Sequence, residues 1–431
     1  MKQLTGQDAS FLYFETSNAP MHVGGVAIFD QSTAPGGAVT FKQILKTFED
    51  RLHLARAFRE RVVRVPMSLD HPYWIEDPDF DIEFHIRHIA LPKPGDWRQL
   101  CIQVARLHSR PLDQNRPLWE FYVIEGLDNV EGLPKGSYAI LSKIHHAAID
   151  GVSGSEMTAA VYDLEPDAKV KPPEQAWSAD REPGATELLL RSYVNNLVNP
   201  FNLGRVMLRS VPSLTKVGVQ LSTRELKPPA LPGRVPRTRF NDTITPHRVF
   251  EGRSFDLNKI RAIKNAVEGA TVNDAVLTIC GGALRKYLEA KGELPEASLI
   301  AMAPVSVRDE KEKGAAGNRV SGMSVAVRSD IEDPLERLEA VHHGTQESKA
   351  LTNAIGARLM TDYSQFIPSA TAGLAARLYS RLSLANRISP FFNCVITNVP
   401  GPQIPLYSTG ARLVTQFGLG PIFDGVGLIF P

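Results

Sequence analysis

The sequence predicts an α/β (α+β) protein: two mixed units of strands and helices, residues 1–165 and 247–431, joined by a basic, helical and Pro-rich bridge over 166–246. Three observations carry this. Short Val- and Ile-rich runs alternate with longer segments of helical apolar spacing at both ends of the chain. Prolines gather between them, at Pro166, Pro172, Pro173 and Pro183 and again at Pro228, Pro229, Pro232, Pro236 and Pro246. The chain has 431 residues, 43% apolar and 22% charged, which predicts two to four globular domains, two being the best fit.

In the first unit MHVGGVAIFD (21–30) reads as a strand, short and β-branched. Thr40 can cap a helix whose apolar stripe is Phe41, Ile44, Leu45, Phe48 and Leu52. Residues 81–89 alternate Ile82, Phe84, Ile86 and His88 against Asp81, Glu83, His85 and Arg87, the period of a half-buried strand. His85 and His88 then face opposite ways. Asp96 starts a helix to about Ser109; 118–127 and 137–144 are strands, and a helix runs from Ser153 to about Tyr162. Residues 164–183 read as a linker. Residues 184–224 are helical, interrupted at Pro200 and Pro212. In the second unit 248–257 is strand-like, 256–268 and 271–290 are helices, 298–308 and 318–328 are strands, and Glu332 to Thr352 is a charged helix, with His342 and His343 expected on its surface. Residues 392–402 form a strand ending in a Pro-Gly turn, and VGLIFP is strand-like. No repeat suggests a solenoid.

The formal charge is +1, without the basic excess of a general nucleic-acid binder. Cys101, Cys280 and Cys394 are far apart and form no CxxC, which suggests a reducing compartment. The N-terminus lacks the apolar core of a secretory signal, and no apolar run approaches 18 residues. A cytoplasmic location is expected, with peripheral placement on the inner membrane or on lipid inclusions left open.

The segment SKIHHAAIDGVSG (142–154) carries the chemistry. A strand delivers His145 and His146 to its end, and Asp150–Gly151 supplies a tight turn before the next helix. Consecutive strand residues face opposite ways, so only one histidine can line a given cavity. A histidine so placed can take a proton from a hydroxyl. Adjacent histidines are poor metal ligands, since strong metal motifs space two ligands on one face, and no metal is expected.

HHAAIDG fits the HHxxxDG signature of the CoA-dependent acyltransferase superfamily. Four further segments resemble bacterial wax ester synthase/diacylglycerol acyltransferases: GQDASFLYFE followed by PMHVGG; the PLW motif at Pro117, Leu118 and Trp119; the ND motif at Asn273 and Asp274; and NVPGP within ITNVPGP (396–402). Together they span residues 6 to 402 in the family's order. Family members usually continue past the end of this sequence, so a shortened C-terminal sheet is expected. The resemblance implies two chloramphenicol-acetyltransferase-like domains with the site between them. It implies transfer of a long-chain acyl group from acyl-CoA to a fatty alcohol, giving wax esters, or to diacylglycerol, giving triacylglycerol. Acyl-CoA is then a substrate and no cofactor is implied. His146 matches the general base and His145 supports the turn. Asp150 points away from the substrate to pair with an arginine, for which Arg308 is the candidate. Asn273, Thr397 and Asn398 are alternative oxyanion donors, although Asn273 and Asp274 also suit a capped helix start. Leu118 and Trp119 fit an acyl-chain wall or plain core. No GxSxG elbow occurs, in agreement with direct transfer. The rival readings are a condensation-type transferase that uses a carrier protein, and a non-catalytic lipid-surface protein.

The bridge has an unusual face. Leu190, Val194, Leu197 and Phe201, then Leu203, Met207, Val211 and Leu214, recur at helical spacing beside Arg191, Arg205, Arg209, Lys216 and Arg224, against the single acid Glu187. Such a stretch can lie on an anionic lipid surface, or can pack its stripe on the two domains.

Overall fold

The computed structural model describes residues 1–149, 153–168, 170–173, 177–223, 235–306, 320–355, 369–399, 401 and 403–431. The N-terminal unit runs through β1 (Lys2–Gln3), α1 (Gly6–Phe14), β2 (His22–Asp30) and α2 (Phe41–Arg51). Thr40 and Gln43 close a capping box on α2, where the sequence places the helix start. β3 (Glu60–Val63) and β4 (Tyr73–Glu76) join β1 in a small sheet of order β1-β4-β3. A one-turn helix α3 (Ile82–His85) leads to β5 (Ile86–Ala90), then α4 (Trp97–His108), β6 (Trp119–Glu125), β7 (Tyr138–His145) and α5 (Ser153–Val161).

The alternation over 81–89 is thus a strand only in its second half. The Asp81 carboxylate accepts the Glu83 N–H at 2.9 Å and starts α3 instead, a local hydrogen bond that competes with sheet pairing. His85 is consequently buried, with Nδ1 2.7 Å from the Trp119 carbonyl oxygen.

The bridge is one helix, α6 (Ala185–Ser222), which runs through Pro200 and Pro212 rather than breaking at them. Each proline removes one intrahelical hydrogen bond and crowds the preceding turn. The first half of α6 is anchored against this cost: Leu188 packs with Val65 and Tyr73, and Asn195 and Asn196 bond to the N-terminal domain. Beyond it, 248–257 is not a strand. Val249 is 97% exposed, while Phe250 packs on Trp97 and Phe417 and the Trp97 indole donates to Glu251 at 2.7 Å. The segment is a strap over the first domain, held by side chains and not by a ladder.

The C-terminal unit contains α7 (Leu257–Lys264), α8 (Val272–Glu289), β8 (Ile300–Ser306), β9 (Val320–Ala326), α9 (Pro334–Ile355), α10 (Ser369–Arg381), β10 (Cys394–Ile396), β11 (Tyr407–Ser408), β12 (Ala411–Leu419) and β13 (Ile429–Phe430). Its own sheet has the order β13-β10-β8-β9, covered by Leu277, Leu284 and Leu288 of α8 and Val341 of α9. Gly281 lets α8 sit close to it, since a Cβ there would lie 2.1 Å from the Val327 carbonyl oxygen.

Strands β11 and β12 do not stay with that sheet. They complete a six-stranded sheet of order β11-β12-β2-β7-β6-β5 in the N-terminal unit, with β12 antiparallel to β2. The last third of the chain is thereby stitched into the first. One face of this sheet holds Phe29, Trp119, Phe121 and Ile140 against Ile44 and Phe48 of α2. The other holds Ile28, Tyr122, Ile124 and Leu141 against Leu100, Val104 and Leu107 of α4.

Gly24 of β2 sits where β7 passes closest. A Cβ there would lie 1.8 Å from the Ser142 carbonyl oxygen. Gly24→Ala must therefore displace β7 just before its histidines. The expected loss is about 1–3 kcal/mol, read as a lower thermal midpoint. An unchanged midpoint would show that β7 yields freely.

Candidate active site

Strand β7 ends at His145, and a single 3-10 turn follows over His146–Ala148. Two main-chain bonds fix its direction: the His145 N–H donates to the Leu118 carbonyl at 2.9 Å and the His146 N–H to the Met21 carbonyl at 2.8 Å. The His145 ring is wholly buried and fully used. Its Nδ1 accepts the Ala147 N–H at 3.1 Å, which assigns the proton to Nε2, 3.1 Å from Glu15 Oε2. Glu15 also accepts the Met21 N–H at 2.8 Å and the Gln114 amide at 2.6 Å. Burial pushes the Glu15 carboxyl up, but His145, Met21 and Gln114 outweigh it and hold it below the ordinary carboxylate range. His145 is therefore a latch that shapes the turn.

His146 is the histidine left open. Its ring stacks on Phe11 of α1, centroids 3.8 Å apart and planes 8° apart. Nδ1 is buried and makes no well-formed hydrogen bond among the described residues, its own main-chain carbonyl being the group that acts on it. Nδ1 being the buried nitrogen, Nε2 is the candidate base. Burial pushes the ring down to about 4, so it is neutral at physiological pH.

Other buried histidines share this shift, His85 among them. Burial pushes His108 down to about 3 and His22 well below its ordinary value; the two rings meet edge to face at 4.5 Å, and His22 Nε2 lies 2.7 Å from the His108 carbonyl oxygen. In each case the folded pKa lies below the unfolded value of about 6.5, so between the two the unfolded chain binds more protons. Stability from these groups is full above about pH 6.5 and is lost as pH falls toward 4. The thermal midpoint is expected to fall steeply between pH 6.5 and 4, with a shallower fall in His108→Asn. A midpoint flat over that window would contradict the burial argument.

The remaining motif residues divide. Leu118 packs under the turn with Ala147 and Ala148. Trp119 lies on the opposite core face, its indole N–H donating to the Phe58 carbonyl at 3.0 Å. Both are at most 1% exposed and belong to the core beneath the turn. Pro117 precedes them, its carbonyl accepting the Trp119 N–H at 2.8 Å. Asp274 closes the capping box of α8 with Thr271. It is also bonded to Thr345 Oγ1 at 2.7 Å and to His342 Nδ1 at 3.0 Å. His342 is thus a buried partner of Asp274 and not a surface residue; His343 is the exposed one. Asn273 is half-buried in the first turn of α8. Thr397 donates its N–H to the Phe430 carbonyl at 2.8 Å, and Asn398 is exposed. No hydrogen bond among the described residues ties Asn273, Thr397 or Asn398 to the histidine turn. Asp150, Gly151 and Arg308, with the pairing expected of Asp150 and Arg308, lie outside the described residues. Burial raises the thiols of Cys101 and Cys394 to about 12 and of Cys280 to about 11, so none is a thiolate nucleophile at neutral pH.

Glu15 and Phe11 are the site residues that sequence reasoning misses. A signal for Glu15 exists. An acid at the C-terminal end of an apolar helix faces the negative end of the helix dipole and calls for a donor partner elsewhere. Nothing local marks Phe11, whose role depends on where β7 ends.

The catalytic-domain profile of the wax ester synthase/diacylglycerol acyltransferase family matches residues 4–276, and the family's C-terminal-domain profile matches 316–430. A Mycobacterium tuberculosis protein provisionally named a diacylglycerol O-acyltransferase is 35% identical over 428 residues, covering 99% of this chain and 82% of the relative. Another of the same provisional name and species is 33% identical over 439 residues, covering 99% and 89%. Among solved structures, the wax ester synthase/diacylglycerol acyltransferase from Marinobacter aquaeolei VT8 matches with a TM-score of 0.65 at 29% identity, over 99% of this chain and 89% of that one. The first condensation domain of the calcium-dependent antibiotic synthetase shares the two-domain fold, with a TM-score of 0.54 at 13% identity over 98% of this chain and 86% of that one.

Proposed function

The chain belongs to the wax ester synthase/diacylglycerol acyltransferase family and is an acyltransferase; on that premise we propose that His146 is its general base, moving a long-chain acyl group from acyl-CoA to a fatty alcohol or to diacylglycerol. The observation that carries this reading is the contrast within the histidine pair. His145 has both ring nitrogens engaged, while His146 is neutral and no well-formed hydrogen bond among the described residues engages its ring. The acceptor oxygen attacks the thioester carbon as its proton passes to Nε2. The tetrahedral oxyanion collapses, the C–S bond breaks, and the thiolate takes the proton from the imidazolium. Asn273, Thr397 and Asn398 are the proposed oxyanion donors, and Asp150 with Arg308 the proposed support of the turn. Acceptor and product are lipids, so the enzyme works peripherally on a membrane or lipid-inclusion surface; no described helix is long and apolar enough to cross a membrane.

The test is incubation of the purified protein with palmitoyl-CoA and either hexadecanol or dipalmitoylglycerol. Equimolar free CoA and wax ester or triacylglycerol are expected. Product only from an acyl-carrier-protein donor would favour the condensation-type reading. No product from any donor would leave a non-catalytic protein.

A further inference from the structure

Helix α6 packs inside out. Toward the N-terminal domain it turns Leu188, Ser192 and Asn195. Asn195 Nδ2 lies 2.8 Å from Asp70 Oδ2 and 3.1 Å from Gln3 Oε1, and the adjacent Asn196 donates to the Leu69 carbonyl at 3.0 Å. Outward it presents Leu190, Tyr193, Val194, Leu197, Val198 and Phe201, the last 76% exposed. At about 100° per residue these six fall within less than half the helix circumference, opposite the polar anchors. A helix whose outer face meets only water shows the reverse arrangement. The bland alternative, that the stripe packs between the domains, fails for these residues.

A second feature adjoins it. The Pro66–Ser68 turn touches both α6 and α10 and holds Met67 78% exposed, with Leu69 exposed beside it. Met67 and Ser68 have φ of 56° and 53°, left-handed values that cost a side-chain-bearing residue energy. Strain spent on holding a methionine in water points to an apolar occupant. Helix α10 extends the patch with Leu374 and Leu378, and packs on α1. Helix α1 packs on α10 and also on the His146–Ala148 turn, where Phe11 stacks on His146. The apolar face is thus continuous with the catalytic turn. Arg191 is paired with Glu187 of the same helix at 3.2 Å, and from Leu188 to Ser222 the sequence adds Arg205, Arg209 and Lys216 and no acid. At helical spacing those positions run along one border of the stripe.

We propose that this face, the outer stripe of α6 with the Met67 turn and α10, docks on an anionic phospholipid surface, and that the acceptor lipid passes from there along α1 to His146. The choice of occupant rests on the lipid acceptor proposed above; the apolar stripe, its basic border and its continuity with the site then agree on it.

The test uses the full chain and a Leu190→Gln, Leu197→Gln, Phe201→Gln triple variant, whose exposed positions leave the fold and thermal midpoint unchanged. In flotation with vesicles of phosphatidylglycerol and phosphatidylcholine, the parent is expected to float and the variant to lose binding by about tenfold or more. Turnover on a soluble short-chain alcohol should match the parent, while turnover on diacylglycerol held in vesicles falls. Equal flotation of the two, or no flotation of the parent, overturns the proposal. So does a parent that sediments as a dimer which the variant dissociates, since the stripe would then be covered by a second copy. Flotation needs no turnover, so an inactive parent that floats would overturn the reaction and leave the docking face standing.

Discussion

His146→Ala is expected to lower turnover with palmitoyl-CoA and a long-chain alcohol by about 10²–10⁴-fold, with the thermal midpoint close to the parent's. The size follows from the loss of the proton acceptor, with binding surfaces left in place. The small stability change follows from the setting: the ring makes no well-formed hydrogen bond among the described residues, and its removal also lifts the cost of a buried imidazole that cannot easily take a proton. His145→Ala should behave in the opposite sense. It strips a donor from buried Glu15 and an acceptor from the Ala147 N–H, so it costs about 1–3 kcal/mol of stability and less turnover than His146→Ala. The parent's kcat/KM should stay level from neutral pH down to about 5, because the base protonates only near 4. Near-parental turnover in folded His146→Ala would end the general-base reading, and a fall in kcat/KM centred at pH 6.5 would show the ring to be solvated.

Local chemistry accounts for what was legible in the sequence. Helices α2, α4 and α8 begin where Thr40, Asp96 and Thr271 stand three residues before Gln43, Gln99 and Asp274, because a capping box is complete within four residues. The HHxxxDG pair at the end of β7 was legible for the same reason. What escaped depends on distant partners. β12 alternates along Ala411, Leu413, Thr415, Phe417 and Leu419, but its place in the first sheet depends on the edge of β2, almost four hundred residues earlier. The apolar 248–257 segment resembles a strand, yet finds Trp97 and Phe417 and no edge. Pro200 and Pro212 predict breaks that tertiary anchoring of α6 overrides. His342 lies in a charged helix, so only the buried carboxylate of Asp274 on α8 explains its burial. Within the site, Glu15 and His145 are 130 residues apart, a separation no spacing rule bridges.

The largest stability effect is expected two residues before the histidine pair. Lys143 is wholly buried, its ammonium donating to the Arg110 carbonyl at 2.8 Å and to Glu120 Oε2 at 3.4 Å. Tyr122 donates to the same carboxylate at 2.6 Å, and Arg87 Nη2 lies 3.6 Å from Glu120 Oε1. Burial pulls the Lys143 pKa below its ordinary value, against the attraction of Glu120. Glu120→Ala leaves that ammonium without its nearest counter-charge, at a cost of about 3–5 kcal/mol. Lys143→Met should cost less, since Glu120 keeps Arg87 and Tyr122. The double variant Glu120→Leu, Lys143→Met should regain most of the loss, because two desolvated charges are removed together. The pH dependence has a definite sign. With the folded pKa of Lys143 below the unfolded value of about 10.5, the unfolded chain binds more protons between the two, so stability from this group rises with pH through that window. The deficit of Glu120→Ala should therefore shrink between pH 7 and 10 as Lys143 gives up its proton. Denaturant midpoints for the three variants at both pH values decide the matter. A double variant as unstable as Glu120→Ala, or a deficit that grows with pH, would show that packing around Tyr122 sets the cost and the buried charge does not.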